Sequence, residues 1–209
     1  MAGMNVLLHE FPNEYIEILD LDINTLNIEN VNNLEKNAAL IVVHNVGGIT
    51  NIPKLKRMRP DLLIFEDNSE GYLGFYENLP TGSQGIASAM SFNMNKNFTT
   101  GQGGAFCTNN EDLYNYVFSY SRQGFTEKKF HHKQLGNNLR MSNITAAILL
   151  SQIEQKDDIL KDKKIMYNTY LDFIKETNSK LIIQELPNDI ETSYWSFAFR
   201  IKGNKSYLY

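Results

Sequence analysis

Apolar positions fall in short runs separated by polar turns. Residues 38–43, 62–65, 86–90 and 105–108 are runs of apolar or small side chains of strand length. Between the first two, residues 52–58 begin a short helix with Pro53 in its first turn. Upstream, residues 15–21 alternate like a strand, and Ile28, Val31 and Leu34 share a face if residues 28–36 are helical. Residues 108–111, Thr-Asn-Asn-Glu, have the spacing of a capping box, after which Leu113, Val117 and Tyr120 share a helical face. Residues 124–138 are polar and read as a long loop. Ser142 can cap the longest helix, which carries Leu149, Ile153, Leu160, Tyr167, Leu171 and Ile174 at helical spacing. Residues 181–186 and 195–201 read as strands of a second, smaller unit. Strands alternating with helices predict an α/β fold with a mainly parallel sheet. Such sheets take ligands beyond the carboxyl ends of their strands. His44, Asp67 and the loop holding Lys96 each follow a predicted strand and so converge on one edge.

The chemistry concentrates in residues 91–104. This polar stretch holds one cation, Lys96, and three glycines, Gly101, Gly103 and Gly104. A lysine held beside apolar strands loses solvation, which disfavours its ammonium form. A neutral amine can attack a carbonyl and form a Schiff base. The glycines let backbone N–H groups approach an anion. A hairpin-like connection with a solvated lysine is the plain alternative. Asp67 can pair with a cation such as a protonated pyridine nitrogen, or cap a helix. Glu70, three residues on, could complete a capping box. Ser91 can bond a phosphate or its own backbone. His44 reads as a turn histidine satisfied by its neighbours.

Charge and cysteine content narrow the setting. A net charge of −4 and a pI near 5.6 give no reason to expect nucleic acid or an anionic membrane as partner. The single cysteine, Cys107, allows no disulfide within the chain and fits a reducing, cytoplasmic compartment; it reads as a buried core thiol. No apolar run has transmembrane length, and nothing at the start reads as a signal peptide. No metal-ligand spacing stands out, His131 and His132 being adjacent. A strand rather than a helix follows the glycines, which argues against a dinucleotide loop.

Several pieces in order resemble a known family, the sugar aminotransferases of the DegT/DnrJ/EryC1/StrS type. They are the strand and His44 turn, Phe65-Glu66-Asp67-Asn68-Ser69-Glu70-Gly71-Tyr72-Leu73-Gly74, and Thr81-Gly82-Ser83. Then come Ser91-Phe92 with Lys96-Asn97, and Thr100-Gly101-Gln102-Gly103-Gly104-Ala105 with Thr108-Asn109. Last are His132 and Leu135-Gly136-Asn137-Asn138-Leu139-Arg140-Met141. The resemblance implies a pyridoxal 5'-phosphate (PLP) enzyme of fold type I. Residues 1–155 would form part of the large cofactor-binding domain, and residues 156–209 a connecting helix and the start of a small C-terminal α+β domain. It implies that Lys96 carries the cofactor and moves protons, that Asp67 holds the pyridine nitrogen protonated, and that Ser91 binds the phosphate. Asn138 would reach the phosphate of a neighbouring subunit, making the active unit a homodimer. Glu70 stands where many members have Gln or His near the ring hydroxyl, which leaves its role open.

The implied reaction is transamination of a keto-sugar nucleotide, with glutamate as amino donor, in amino-sugar and polysaccharide biosynthesis. Family members that dehydrate sugars replace the lysine by histidine, so Lys96 argues against that branch. Relatives also have a segment before the position of Met1, with a phosphate loop and a ring-stacking aromatic, and continue the small domain past residue 201. The chain is therefore expected to be the middle of such an enzyme, a weak binder of cofactor alone or the companion of a second chain. A non-catalytic remnant that keeps the dimer surface is the rival reading.

Overall fold

Four strands form the sheet that carries the candidate site. The computed structural model describes residues 2–128, 130–177 and 180–201. In chain order, α1 (Ala2–Glu10) precedes β1 (Ala39–Val43), α2 (Ile52–Met58) and β2 (Leu63–Asp67). The short β3 (Phe75–Tyr76) and β4 (Leu79–Pro80) follow, then β5 (Ala87–Ser91) and β6 (Gly104–Thr108). Three helices come next, α3 (Glu111–Tyr120), α4 (Asn143–Glu154) and α5 (Lys156–Glu176). The described chain ends with β7 (Leu181–Ile183), β8 (Ile190–Glu191) and β9 (Phe199–Ile201). The main sheet has the order β1-β2-β5-β6. β1, β2 and β5 are parallel, and β6 returns antiparallel to β5 with Ser91 opposite Gly104. β3 pairs antiparallel with both β4 and β8, and β7 with β9. Residues 202–209, part of the expected small domain, lie outside the described residues.

Burial alternates along β1 and β2, although their unbroken apolar runs predicted burial on both faces. Leu40, Val42 and Ile64 turn into a core with Ile28, Val31, Ile52, Leu55 and Leu62, while Ile41 and Leu63 are nearly half exposed. α2 supplies Ile52 and Leu55 to that face; its first turn is closed by Asn51, whose side chain accepts the Lys54 N–H. A second cluster of Tyr72, Phe92 and Phe98 packs under the loop between β5 and β6. The Tyr72 hydroxyl donates to Phe98 O (3.1 Å) and accepts from Phe98 N–H (2.8 Å). Burial pushes this phenol up to about 12, so it stays a neutral donor.

Five sequence expectations differ from the structure. Residues 28–36 bury Ile28 and Val31 as expected but are not helical. Asn30 Oδ1 accepts the Asn32 N–H, an alternative to helical pairing. The carbonyls of Val31, Asn32, Leu34 and Glu35 accept from the Arg59 guanidinium, which Asp61 holds in place. Residues 15–21 form no strand; Tyr15 and Ile18 are exposed. The cap of α3 is Asn110, accepting from Leu113 N–H, whereas the Thr108 hydroxyl donates to Ile86 O. The longest helix is two, divided at Gln155, where Asp157 and Asp158 start a new N-terminus. Cys107 is half-buried on β6 rather than in the core.

Ile64, on the central strand β2 and only 1% exposed, tests the main core. Ile64→Ala is expected to lower stability by about 2–5 kcal/mol, read as a fall in the urea midpoint at unchanged slope.

Candidate functional site

β2 and β5 are parallel with Asp67 opposite Ala89, so Asp67 and the 91–104 loop leave the sheet at the same carboxyl edge. Strand alternation sends Glu66 inward and Asp67 to the other face. Asp67 is partly exposed, and its Oδ1 accepts the Ser69 N–H (3.1 Å), a tight turn rather than a helix cap. That turn delivers Glu70 towards Lys96. Glu70 Oε1 lies 3.5 Å from Lys96 Nζ, and Oε2 accepts the Val46 N–H at 2.9 Å. Val46 has φ 57, a left-handed conformation that costs a β-branched residue on the order of 1–3 kcal/mol. Strain is thus held where a backbone N–H meets Glu70.

The connection between β5 and β6 has the topology of a hairpin, as the plain alternative expected, but its lysine is not solvated. The Lys96 side chain is 10% exposed. Nor does it sit alone beside apolar strands: Glu70 is on one side, and the Trp195 ring lies 4.3 Å from Nζ. Trp195 Nε1–H donates to Asn95 O (2.8 Å). Residues 192–195 are laced to the site, the Thr192 hydroxyl donating to Gly47 O and the Ser193 hydroxyl to Glu70 O, while Asn97 Nδ2 donates to Ser193 O. The sequence reading placed Trp195 in a strand of the second unit and missed this role. Its only signal was that it is the chain's single tryptophan.

Ser91 ends β5, and its Oγ accepts the Asn93 N–H (3.3 Å). Gly103, with φ 143, lets the returning chain accept the Phe92 N–H (2.9 Å). Asn138 is exposed, in a groove of about 620 Å³ with Arg122, Arg140 and Met141, and no hydrogen bond among the described residues links it to Ser91, Lys96 or Asp67. His132 is exposed, its Nδ1 bonded to Gln123 O. Among the described residues, no group of three or more His, Cys, Asp or Glu is placed to hold a metal ion. No described helix is long and apolar enough to cross a membrane.

His44 is the satisfied histidine expected from the turn, and its partner was not foreseen. Both side chains are fully buried, with Nε2 3.0 Å from Glu66 Oε2. Thr50 N–H donates to His44 Nδ1, so Nε2 carries the proton given to Glu66. Glu66 also accepts the N–H groups of Gly82, Gln84 and Gly85. Burial pushes its carboxyl up, but His44 and the Gly85 and Gly82 amides outweigh burial and hold it below its ordinary value.

The model of the DegT/DnrJ/EryC1/StrS aminotransferase family matches residues 15–207. The chain belongs to this family. GDP-perosamine synthase of Escherichia coli O157:H7 is 34% identical over 164 residues, which cover 77% of this chain and 44% of that protein. A family aminotransferase from Brucella abortus superposes with a TM-score of 0.76 at 24% identity, over 87% of this chain and 52% of that one. The E. coli GDP-4-keto-6-deoxy-D-mannose-3-dehydratase with bound hydrated PLP gives 0.80 at 23%, over 90% and 54%. The chain therefore spans about half the length of the relatives it matches. Their shared fold is the one the motifs implied, and its members bind PLP.

The lowered Glu66 carboxyl sets an acid limit. As pH falls, the unfolded chain takes up this proton first, below about 4.5, and the native group only at a lower pH. The stability due to Glu66 is therefore complete above about pH 4.5 and is lost as pH falls through the native value. Glu66→Gln is expected to lose about 3–5 kcal/mol at neutral pH and to show a flatter acid-unfolding profile, measured by circular dichroism.

Proposed function

We propose that the chain supplies the lysine-bearing side of the cofactor site of a PLP-dependent aminotransferase acting on a keto-sugar nucleotide. The observation that carries this reading is Lys96 Nζ, little exposed and fixed by Glu70, on the same sheet edge as Asp67. A carboxylate at a strand end, an adjacent enclosed amine, a strand-end hydroxyl and a glycine at φ 143 suit a phosphorylated pyridine aldehyde. Lys96 is the amine that would hold its aldehyde carbon, and Asp67 the carboxylate that would keep its ring nitrogen protonated. Ser91 and the N–H groups near Gly103 would take the phosphate, joined by Asn138 of a second copy in a homodimer. Bound there, the pyridinium ring supplies an electron sink. Lys96, released, takes and returns a proton at Nζ, and Glu70 with Val46 N–H sets where Nζ rests.

The 34% identity to a GDP-perosamine synthase supports a nucleotide-linked sugar as substrate, with glutamate taken as donor. A sugar dehydratase is a weaker reading, because Lys96 stands where dehydrating members of the family have histidine. We take residues 1–155 as part of the large domain and 156–209 as the beginning of the small one; the break at Gln155 supports that division. The enzyme acts in the cytoplasm on this reading, with a companion chain as a further candidate partner.

Borohydride reduction of any assembly of the chain that binds PLP, followed by peptide mapping, is expected to label Lys96. Label on a different lysine would sink the assignment. Lys96→Ala should abolish transamination in whatever assembly is active, a loss of at least about a thousandfold for a group acting as both amine and proton carrier.

A further inference from the structure

Trp195 stands 100 residues from Asn95 along the chain, yet its indole N–H is spent on Asn95 O and its ring covers Lys96 Nζ. The ring is held from three directions. The Trp195 N–H donates to Ser193 Oγ (3.3 Å), Ser193 Oγ–H donates to Glu70 O, and the buried Asn97 amide donates to Ser193 O (2.7 Å). Ser193 is fully buried, and Thr192 is tied to Gly47 O. Between them and the tryptophan, Tyr194 adopts φ 51, a conformation tolerated only where the surroundings dictate it. The same short strap therefore bonds the backbone of Glu70 and presents the ring to the cation that the Glu70 carboxylate pairs. An aromatic face and a carboxylate both favour a charged ammonium over a neutral amine.

We propose that Trp195 is a positioning residue for Lys96. Together with Glu70 it parks Nζ as a covered cation, and a ligand must displace this arrangement before Lys96 reacts as an amine. The functional meaning of this inference rests on Lys96 being the cofactor lysine; the contact itself does not.

The test is trace acetylation of the full chain with acetic anhydride, quantified for the Lys96 peptide against exposed Lys161, from pH 7 to pH 10.5. Only the neutral amine reacts, so the rate reads the cation's stabilisation. Trp195→Leu is expected to raise the relative rate at Lys96 roughly three- to tenfold near pH 7.5. Trp195→Phe, which keeps an aromatic face, should stay within about twofold of the parent. The gap between the Leu variant and the parent should narrow as pH rises towards 10.5, where an ordinary lysine amine is about half neutral. Equal rates in all three proteins, equal acceleration by Leu and Phe, or a difference that does not narrow with pH would overturn the proposal, since apolar cover alone would give those results. If Trp195→Leu does not fold, the parent's own fluorescence decides. Its sole tryptophan should change emission in Lys96→Met, and no change would count against the contact. PLP labelling is measured separately in an assembly that binds PLP: the expected rate changes with the label on a different lysine would refute the proposed function and keep the parked lysine.

Discussion

The buried Glu66 carboxylate is the constraint on which the rest of the edge depends. Moving a carboxylate out of water costs several kcal/mol, and the cost is offset only by well-placed donors. Glu66 has four: His44 Nε2 from the end of β1, and the N–H groups of Gly82, Gln84 and Gly85 ahead of β5. One side chain thus ties the carboxyl ends of β1 and β2 to the turn that enters β5. Gly82 can serve because it adopts φ 82, and His44 has room to reach Glu66 because Gly71 lacks a Cβ, which would meet His44 at 2.5 Å. Since Glu66 points in, its neighbour Asp67 must point the other way. The direction of the candidate cofactor carboxylate is fixed by the burial of the residue before it.

The parallel strands β1 and β2, the strand β5 and the helix α2 were legible because their signals are local. Apolar runs of strand length and a proline in a first helical turn say what a segment does regardless of its neighbours. Residues 28–36 show where this fails. Their apolar spacing correctly marked Ile28 and Val31 as core, but the backbone is set by Arg59, which draws four of their carbonyls onto one guanidinium. A distant cation competing for carbonyls leaves no trace in hydrophobic periodicity. The division of the long helix at Gln155 was more nearly visible, since Asp157 and Asp158 suit a helix start and not a helix middle.

At the site, the residues on consecutive turns were the readable ones. Asp67, Glu70, Ser91 and Lys96 lie at or just past strand ends, and parallel pairing was enough to gather them along one edge. The structure adds contacts of long sequence separation: Val46 N–H to Glu70, Ser193 to Glu70, and Trp195 over Lys96. These depend on how the strap at 192–195 is stitched to the Gly47 turn, which no spacing rule encodes. Asn138 shows the opposite case. It was singled out by motif alone, and within one chain it lies in an exposed groove with Arg122 and Arg140. Its proposed role needs a second copy to bring it to a cofactor.

The surroundings of Lys96 reverse the first physical argument about it. Apolar strands alone would favour a neutral, reactive amine. The structure instead gives Nζ a carboxylate and an aromatic face, the two kinds of neighbour that favour the cation. Both arrangements suit a lysine that must hold an aldehyde, but at different moments. A bare amine would be available to any carbonyl in solution, whereas a parked cation is withheld until an anionic, ring-bearing ligand competes for the same neighbours. Glu70 is anchored by the Val46 N–H and the Ser193 hydroxyl, and Trp195 by Ser193 Oγ and Asn95 O, so they are held more firmly than side chains on free loops. If Lys96 is the cofactor lysine proposed above, selectivity for the right aldehyde would come from the work of releasing Nζ, supplied by a ligand that also engages Asp67.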